Sequence, residues 1–316
     1  MDGPAAPRRH GRFRIVIVSR PRRAASVTVG IIARNARGTV RTAVRSALRD
    51  RHVSRVLVWD DGSDDGTSSV LGDLDDARLI VAGTAENHGI PASRNAVLER
   101  VDTPHLAWLD ADDLCLPGRF GAQLSTLDRG HDIVFTPVVE WLHGTPAIRP
   151  QLVPALSPEA TPFHLLLGNP FMNPTMLART EVLRELGGYR TVASEDYELW
   201  IRAALGGYRL HRTLRPFVVY RRHRAQTTQQ ASWRAARSET TIVEEGFDRL
   251  AERTIGFSPS WFAWQRAGRP SGEVPANLLA DADRFDRAIR RLPPAERAPL
   301  RRQTRRLRSL ASTETT

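Results

Sequence analysis

The chain has 316 residues, 41% of them hydrophobic, with one cysteine and a formal net charge of +11. That length suits a core domain of ~250 residues with appended ends, and no apolar run approaches the ~20 residues needed to cross a bilayer, which predicts a soluble, cytoplasmic protein. Cys115, standing alone, excludes an internal disulfide and a cysteine-cluster metal site. The positive charge sits at the ends: residues 1–25 carry seven Arg and one Asp, and residues 287–308 carry nine Arg and one Glu, around a nearly neutral body. Charge runs at chain ends are solvated tails more often than binding surfaces, which argues against nucleic acid as a partner.

Short β-rich runs alternate with helical patterns, the signature of an α/β fold with a mainly parallel sheet. "VTVGII" (27–32) reads as a buried strand, followed by a helix presenting Val40, Val44, Ala47 and Leu48. "RVLVWD" (55–60) is the next strand, with a short helix through Val70, Leu71 and Leu74. "RLIVA" (78–82) is the third, and Pro91 opens a helix carrying Ala92, Ala96 and Val97. "HLAWLD" (105–110) is the fourth, after which Pro117 opens a helix with Phe120, Leu124 and Leu127 at helical spacing. "DIVFT" (132–136) follows. Prolines then crowd 137–175, which predicts a loop-rich insertion with one short apolar helix near 163–167. A helix over 195–205, a strand "FVVYRR" (217–222) and a helix over 232–253 complete the body. Past 256 structure-breaking segments precede an Arg-rich end, helical from Leu300. The division expected is a basic extension (1–25), a main α/β domain (26–255) and a C-terminal extension (256–316), partly helical or disordered.

In open parallel sheets ligands bind outside the carboxyl ends of the strands. Three such ends are polar here: "ARN" after the first strand, "DDGSDDGT" after the second and "DADD" after the fourth. An Asp-x-Asp pair at a strand end can place hard oxygen ligands on one divalent cation while leaving positions for water and a diphosphate, which suits Mg²⁺ or Mn²⁺. Asp110 and Asp112 form such a pair. The plain alternative is a turn in which Asp113 caps the helix opened by Pro117. Arg94 lies in the first turn of its helix, where an anion can be met, although a solvated helix arginine is the simpler reading. Ser194, Glu195 and Asp196 likewise read locally as an ordinary helix start.

Taken in order, "VTVGIIARN", "VLVWDDGSDDGT", "ENHGIPASRNAVLERVDTPHLAWLDADDLCLPGRF", "NPTMLARTEVLRELGGYR" and "SEDYELWIRAALGGY" resemble the family 2 glycosyltransferases over about 27–225. The resemblance implies a Rossmann-like GT-A fold, a divalent metal (Mn²⁺ or Mg²⁺), a nucleotide-sugar donor and inversion at the anomeric carbon. Carried over by position, Asp60 and Asp61 match the acidic pair at the nucleoside, with Ala33 and Asn35 at the end of the first strand beside it. Asp110 and Asp112 match the metal pair, Asp110 also facing the donor, and Arg94 the arginine that approaches its diphosphate. Glu195 and Asp196 match the acidic dipeptide whose aspartate serves as base. His223 in "YRRH" matches a histidine that reaches the metal or diphosphate.

Departures narrow the reading. The family's first strand commonly ends in a Pro-Thr-Tyr-Asn-like turn, replaced here by Ile32, Ala33, Arg34 and Asn35, so a dTDP-sugar stands beside a UDP-sugar as donor. Processive members carry a Gln-x-x-Arg-Trp segment and membrane spans, whereas "QASWR" (230–234) reverses Trp233 and Arg234, which favours single-sugar transfer. The acceptor is carbohydrate, lipid-linked or a small molecule. Arginines flanking Leu300, Leu307 and Leu310 could lie on an anionic membrane surface, the alternatives being a helix docked on the body or a disordered tail. A sugar-phosphate nucleotidyltransferase would resemble a Gly-rich loop with a catalytic lysine, and this chain contains no lysine. A catalytically silent nucleotide-binding relative would be free to lose the Glu195–Asp196 pair, which is intact.

Overall fold

The computed structural model describes residues 26–142, 144–223, 241–266 and 274–312. A seven-stranded sheet forms the centre. It contains β1 (Val27–Ala33), β2 (Val53–Asp61), β3 (Leu79–Thr84), β4 (His105–Trp108), β6 (Ile133–Phe135), β9 (Leu177–Arg179) and β10 (Leu210–Arg212), in the order β10-β6-β9-β4-β1-β2-β3. All neighbours run parallel except β9, which is antiparallel to β4 and β6. The central strands read as unbroken apolar runs because helices cover both faces. Trp108 crosses β1 at Gly30, where a Cβ would collide with its ring.

On one face α1 (Val40–Leu48) buries Val40, Ala43, Val44 and Ala47, spaced as one helical stripe, and α3 (Arg119–Leu127) buries Phe120 and Leu127. Against them lie Val29, Ile31, Val56 and Val58. The alternate residues Leu57, Trp59, Leu106 and Trp108 point the other way. There they meet α2 (Ile90–Arg100), α4 (Thr161–Leu165), α5 (Thr180–Glu185) and α6 (Glu195–Leu205). The same cluster takes in α7 (Thr241–Ile255), α8 (Trp261–Arg266), α9 (Leu278–Ala288) and α10 (Pro294–Ser312). Phe285 meets Phe163 and Trp261 edge-on, and the Trp261 indole N–H donates to the Leu166 carbonyl at 2.9 Å.

Three expectations need correction. The run through Val70 and Leu74 makes only a 3₁₀ turn, Ser69–Leu71. The stretch 137–175 holds, besides α4, two strands: β7 (Val138–Leu142) and β8 (Ile148–Pro150). They join β5 (Leu114–Cys115) and β11 (Val218–Arg222) in a second sheet, ordered β5-β11-β7-β8. The C-terminal helix starts at Pro294 rather than Leu300. Its Leu300 and Leu307 are buried and Leu310 packs beside them, so the protein's own core, not a membrane, covers that apolar stripe. The helix expected over 232–253 is described from Thr241. Trp233, Arg234 and the basic segment 1–25 lie outside the described residues.

Candidate active site

The carboxyl ends of β1, β2 and β4 open on one edge of the sheet. Ala33 pairs in register with Asp60. Asn35 adopts φ 50, a left-handed turn that asparagine tolerates, and its side-chain oxygen accepts the Asp64 N–H at 3.1 Å. Asp60 accepts the Ser63 N–H at 2.9 Å and the Ser68 hydroxyl. Asp61 is buried and accepts the N–H groups of His88 and Gly89, at 2.8 and 3.0 Å, at the entrance to α2. The acidic pair expected at the nucleoside thus also fixes the two loops that flank this edge.

After β4 the chain turns sharply, the Asp113 N–H donating to the Asp110 carbonyl at 3.1 Å. Asp113 does not cap α3, whose N-cap is Gly118. Its Oδ1 instead accepts the Arg221 N–H at 2.9 Å, and its Oδ2 is buried with no partner among the described residues. Arg221 Nε donates to the Asp112 carbonyl at 2.9 Å, and His223 Nε2 stands 2.7 Å from Asp112 Oδ2. The end of β11 is therefore clamped onto the DADD turn. Burial, then the neighbouring Asp112 charge, push the Asp110 carboxyl up to about 7 against the pull of Arg94. Burial also lifts Asp113 well above the usual range. Burial raises the Asp110 and Asp113 carboxyls despite the nearby Arg94 and Arg119, and a gathering of carboxylates with negative charge left uncancelled suits a divalent cation. Among the described residues no three His, Cys, Asp or Glu side chains form a ready-made metal cluster; Asp110, Asp112 and His223, expected at a metal, meet through the Asp112–His223 contact.

The third component comes from α2 and α6. Arg94 donates through Nη1 to Glu195 Oε1, both side chains nearly buried. The guanidinium lies over the rings of Tyr189 and Trp108, 5.1 and 5.8 Å from their centroids. Arg94, the residue expected to approach a diphosphate, is anchored by Glu195 within reach of the Asp110 charge. Burial carries Glu195 up to about 7, Arg94 opposing and Asp196 adding to the rise. Asp196 Oδ1 accepts the Tyr197 N–H at 2.7 Å, and Oδ2 accepts Asn169 Nδ2 at 3.1 Å. Burial raises the Asp196 carboxyl too, with Arg94 pulling it down. Asp110, Arg94, Glu195 and Asp196 lie close enough to feel one another's charge. Sequence reasoning missed Asn169, Tyr189, Asp113 as a buried anchor, and Arg221. Asn169 sits in "GNPFMNP", a proline-rich stretch without periodicity that carries no local sign of a role.

The sequence model of Glycosyl transferase family 2 matches residues 28–187, which contain the DDGSDD, SRN and DADD segments. The chain belongs to this family. It is 43% identical over 101 residues to the succinoglycan biosynthesis protein ExoU of Rhizobium meliloti, a match covering 31% of this chain and 30% of ExoU. It is 30% identical over 197 residues to the putative glycosyltransferase EpsE of Bacillus subtilis, covering 58% and 68%. The UDP-Glc:alpha-D-GlcNAc-diphosphoundecaprenol beta-1,3-glucosyltransferase WfaP of Escherichia coli is 23% identical over 202 residues, covering 62% and 77%. A crystal structure of S. aureus TarS 1-349 in complex with UDP-GlcNAc superposes with TM-score 0.59 at 15% identity, covering 90% of this chain and 88% of that one. That likeness is one of fold, and it makes the α/β architecture GT-A-like, as the sequence motifs implied.

Proposed function

We propose that the protein transfers a single sugar from a UDP- or dTDP-sugar to an acceptor hydroxyl, with inversion, using Asp196 as base. The observation that carries this is the Asp196 carboxylate, placed at the start of α6 by Asn169 and the Tyr197 N–H, within the same charged group as Asp110. Asp196 takes the proton of the acceptor hydroxyl while that oxygen attacks the anomeric carbon. The bond to the nucleotide diphosphate breaks on the opposite face, and its electron pair leaves with the diphosphate. A carboxyl lifted by burial is a better base than a solvated aspartate. Glu195, tied to Arg94, fixes the first turn of α6 and so the direction of Asp196. Asp60, Asp61, Ala33 and Asn35 form the nucleoside side of the donor site. Mn²⁺ or Mg²⁺, held by Asp110 and Asp112 with His223 beside them, would supply positive charge at the donor diphosphate.

Names among the relatives, such as succinoglycan and amylovoran biosynthesis and diphosphoundecaprenol glucosyltransferase, support a role in polysaccharide assembly on a lipid-linked acceptor. No described helix is long and apolar enough to cross a membrane. Work on such an acceptor would take place in the cytoplasm at the membrane's inner face, reached through the Arg-rich C-terminal helices. Residues 26–255 carry the chemistry, and 256–316 form an extension that buttresses it. Asp196→Asn tests the assignment: transfer is lost while calorimetric binding of UDP or dTDP persists. Wild-type turnover in that variant would refute it.

A further inference from the structure

Five arginines of α9, α10 and the turn between them, Arg287, Arg290, Arg301, Arg305 and Arg308, line a cavity of about 580 Å³ together with only two acids, Asp283 and Asp286. Both acids are already committed. Arg308 Nη2 donates to Asp283 Oδ1 and to Asp286 Oδ2 at 2.8 Å each, and the Thr304 hydroxyl donates to Asp286 Oδ1 at 3.0 Å. These bonds tie the two helices together and fix the cavity walls. Arg301, Arg305 and Arg308 fall on one stripe of α10, while Leu300 and Leu307 face inward. Among the described residues Arg287, Arg290 and Arg301 have no acidic partner, and Arg305 donates only to the Arg301 carbonyl. Like charges gathered around a concavity repel one another, an arrangement that an anion bound between them relieves.

We propose that this cleft is a binding site for a phosphate-bearing anion, separate from the donor site and independent of whether the chain transfers sugar. The guanidinium fork pairs two N–H groups with two phosphate oxygens, and four such groups without an acidic partner among the described residues, Arg287, Arg290, Arg301 and Arg305, line the cavity from α9, α10 and the turn between them. The volume falls within the range of small-ligand pockets, ~300–1,000 Å³, room enough for a diphosphate or a phospholipid headgroup. With its leucines buried, α10 offers such a ligand charge rather than an inserting apolar face.

The test uses the full-length chain in EDTA and the triple variant Arg287→Glu/Arg301→Glu/Arg305→Glu, whose changes lie on exposed side chains and spare Arg308. Inorganic diphosphate is titrated calorimetrically, and cosedimentation is measured with vesicles of phosphatidylglycerol and of phosphatidylcholine. Diphosphate binding weakened at least tenfold in the variant identifies a soluble phosphate ligand. Binding to phosphatidylglycerol vesicles alone, lost in the variant, identifies lipid headgroups. A control variant, Arg8→Glu/Arg9→Glu/Arg12→Glu, separates the contribution of the basic N-terminal segment. The inference is overturned if the parent binds neither probe, or if the cleft variant binds both as the parent does. UDP binding with Mn²⁺, measured on the same variant, is expected unchanged and reports separately on the donor site.

Discussion

His223 Nε2 lies 2.7 Å from Asp112 Oδ2, joining residues 111 positions apart at the mouth of the site. The contact makes β11 part of the DADD turn and gives Asp112 a fixed orientation. A group that orients a metal-binding carboxylate typically changes metal affinity by roughly 10–100-fold when removed. His223→Ala is therefore expected to weaken Mn²⁺-dependent UDP binding by about that factor, and Asp112→Ala to abolish it. Calorimetry with and without EDTA reads both. UDP binding indifferent to EDTA would remove the cation from the account.

The Arg94–Glu195 pair is nearly buried on both sides. Removing one partner of such a pair strands the other charge and costs about 3–5 kcal/mol. Arg94→Ala should lower urea-unfolding stability by that order above about pH 7, where Glu195 is ionised. Arg94→Lys should recover only part of it, because an ammonium cannot reproduce the planar contact with Tyr189 and Trp108. Equal stability of the lysine and parent proteins would show that the rings contribute nothing.

The same pair sets a pH dependence. Glu195 titrates near 7 in the folded protein against an ordinary 4.5. Between those values the folded state holds a proton that the unfolded state has released. Stability from this group is therefore complete below about 4.5 and is lost as pH rises through about 7. Asp196, also raised, acts in the same direction. Thermal melts of the metal-free protein should show Tm falling from pH 5 to pH 7.5, with a shallower fall in Glu195→Gln. A rising Tm over that range would contradict the burial of Glu195.

Much of this was legible in the sequence, for a physical reason. Strands buried on both faces must be continuously apolar, so β1, β2 and β4 announce themselves, and the polar residues that end them mark the edge of the candidate site. The helix expected over 195–205 is α6 to the residue. β8 was invisible because all three of its residues are exposed and carry no alternation. Arg94 and Glu195 each have an innocent local explanation, one as a helix arginine and the other as an N-terminal acid. Only the fold, bringing positions 101 apart together, shows that each is the other's partner. Leu300 and Leu307 could be seen as a stripe, but α10 alone does not say whether protein or lipid covers it.

Asn169 touches the proposed base at 3.1 Å through an amide whose oxygen accepts the Phe171 N–H, also at 3.1 Å. The amide is thus held by its own loop while it holds Asp196. Asn169→Ala should lower kcat by about 100-fold, the scale of a small misplacement at a reacting group, and leave the donor KM unchanged. Steady-state kinetics at fixed acceptor would check this. A change confined to KM would mean that Asn169 binds substrate rather than orienting the base.

The C-terminal helices offer the sharpest test of how the chain is divided. Leu300 is fully buried and shares a cluster with Phe163, Trp261 and Phe285. If residues 256–316 were a separable tail, Leu300→Ala would leave unfolding of the body untouched. Because one core runs through both parts, the truncation should shift the single cooperative urea transition by about 2–5 kcal/mol. Arg302→Ala, exposed on the same helix and outside the cleft, should stay within about 0.5 kcal/mol. Two transitions in the parent, with only the smaller responding to Leu300→Ala, would instead establish the extension as an independent unit.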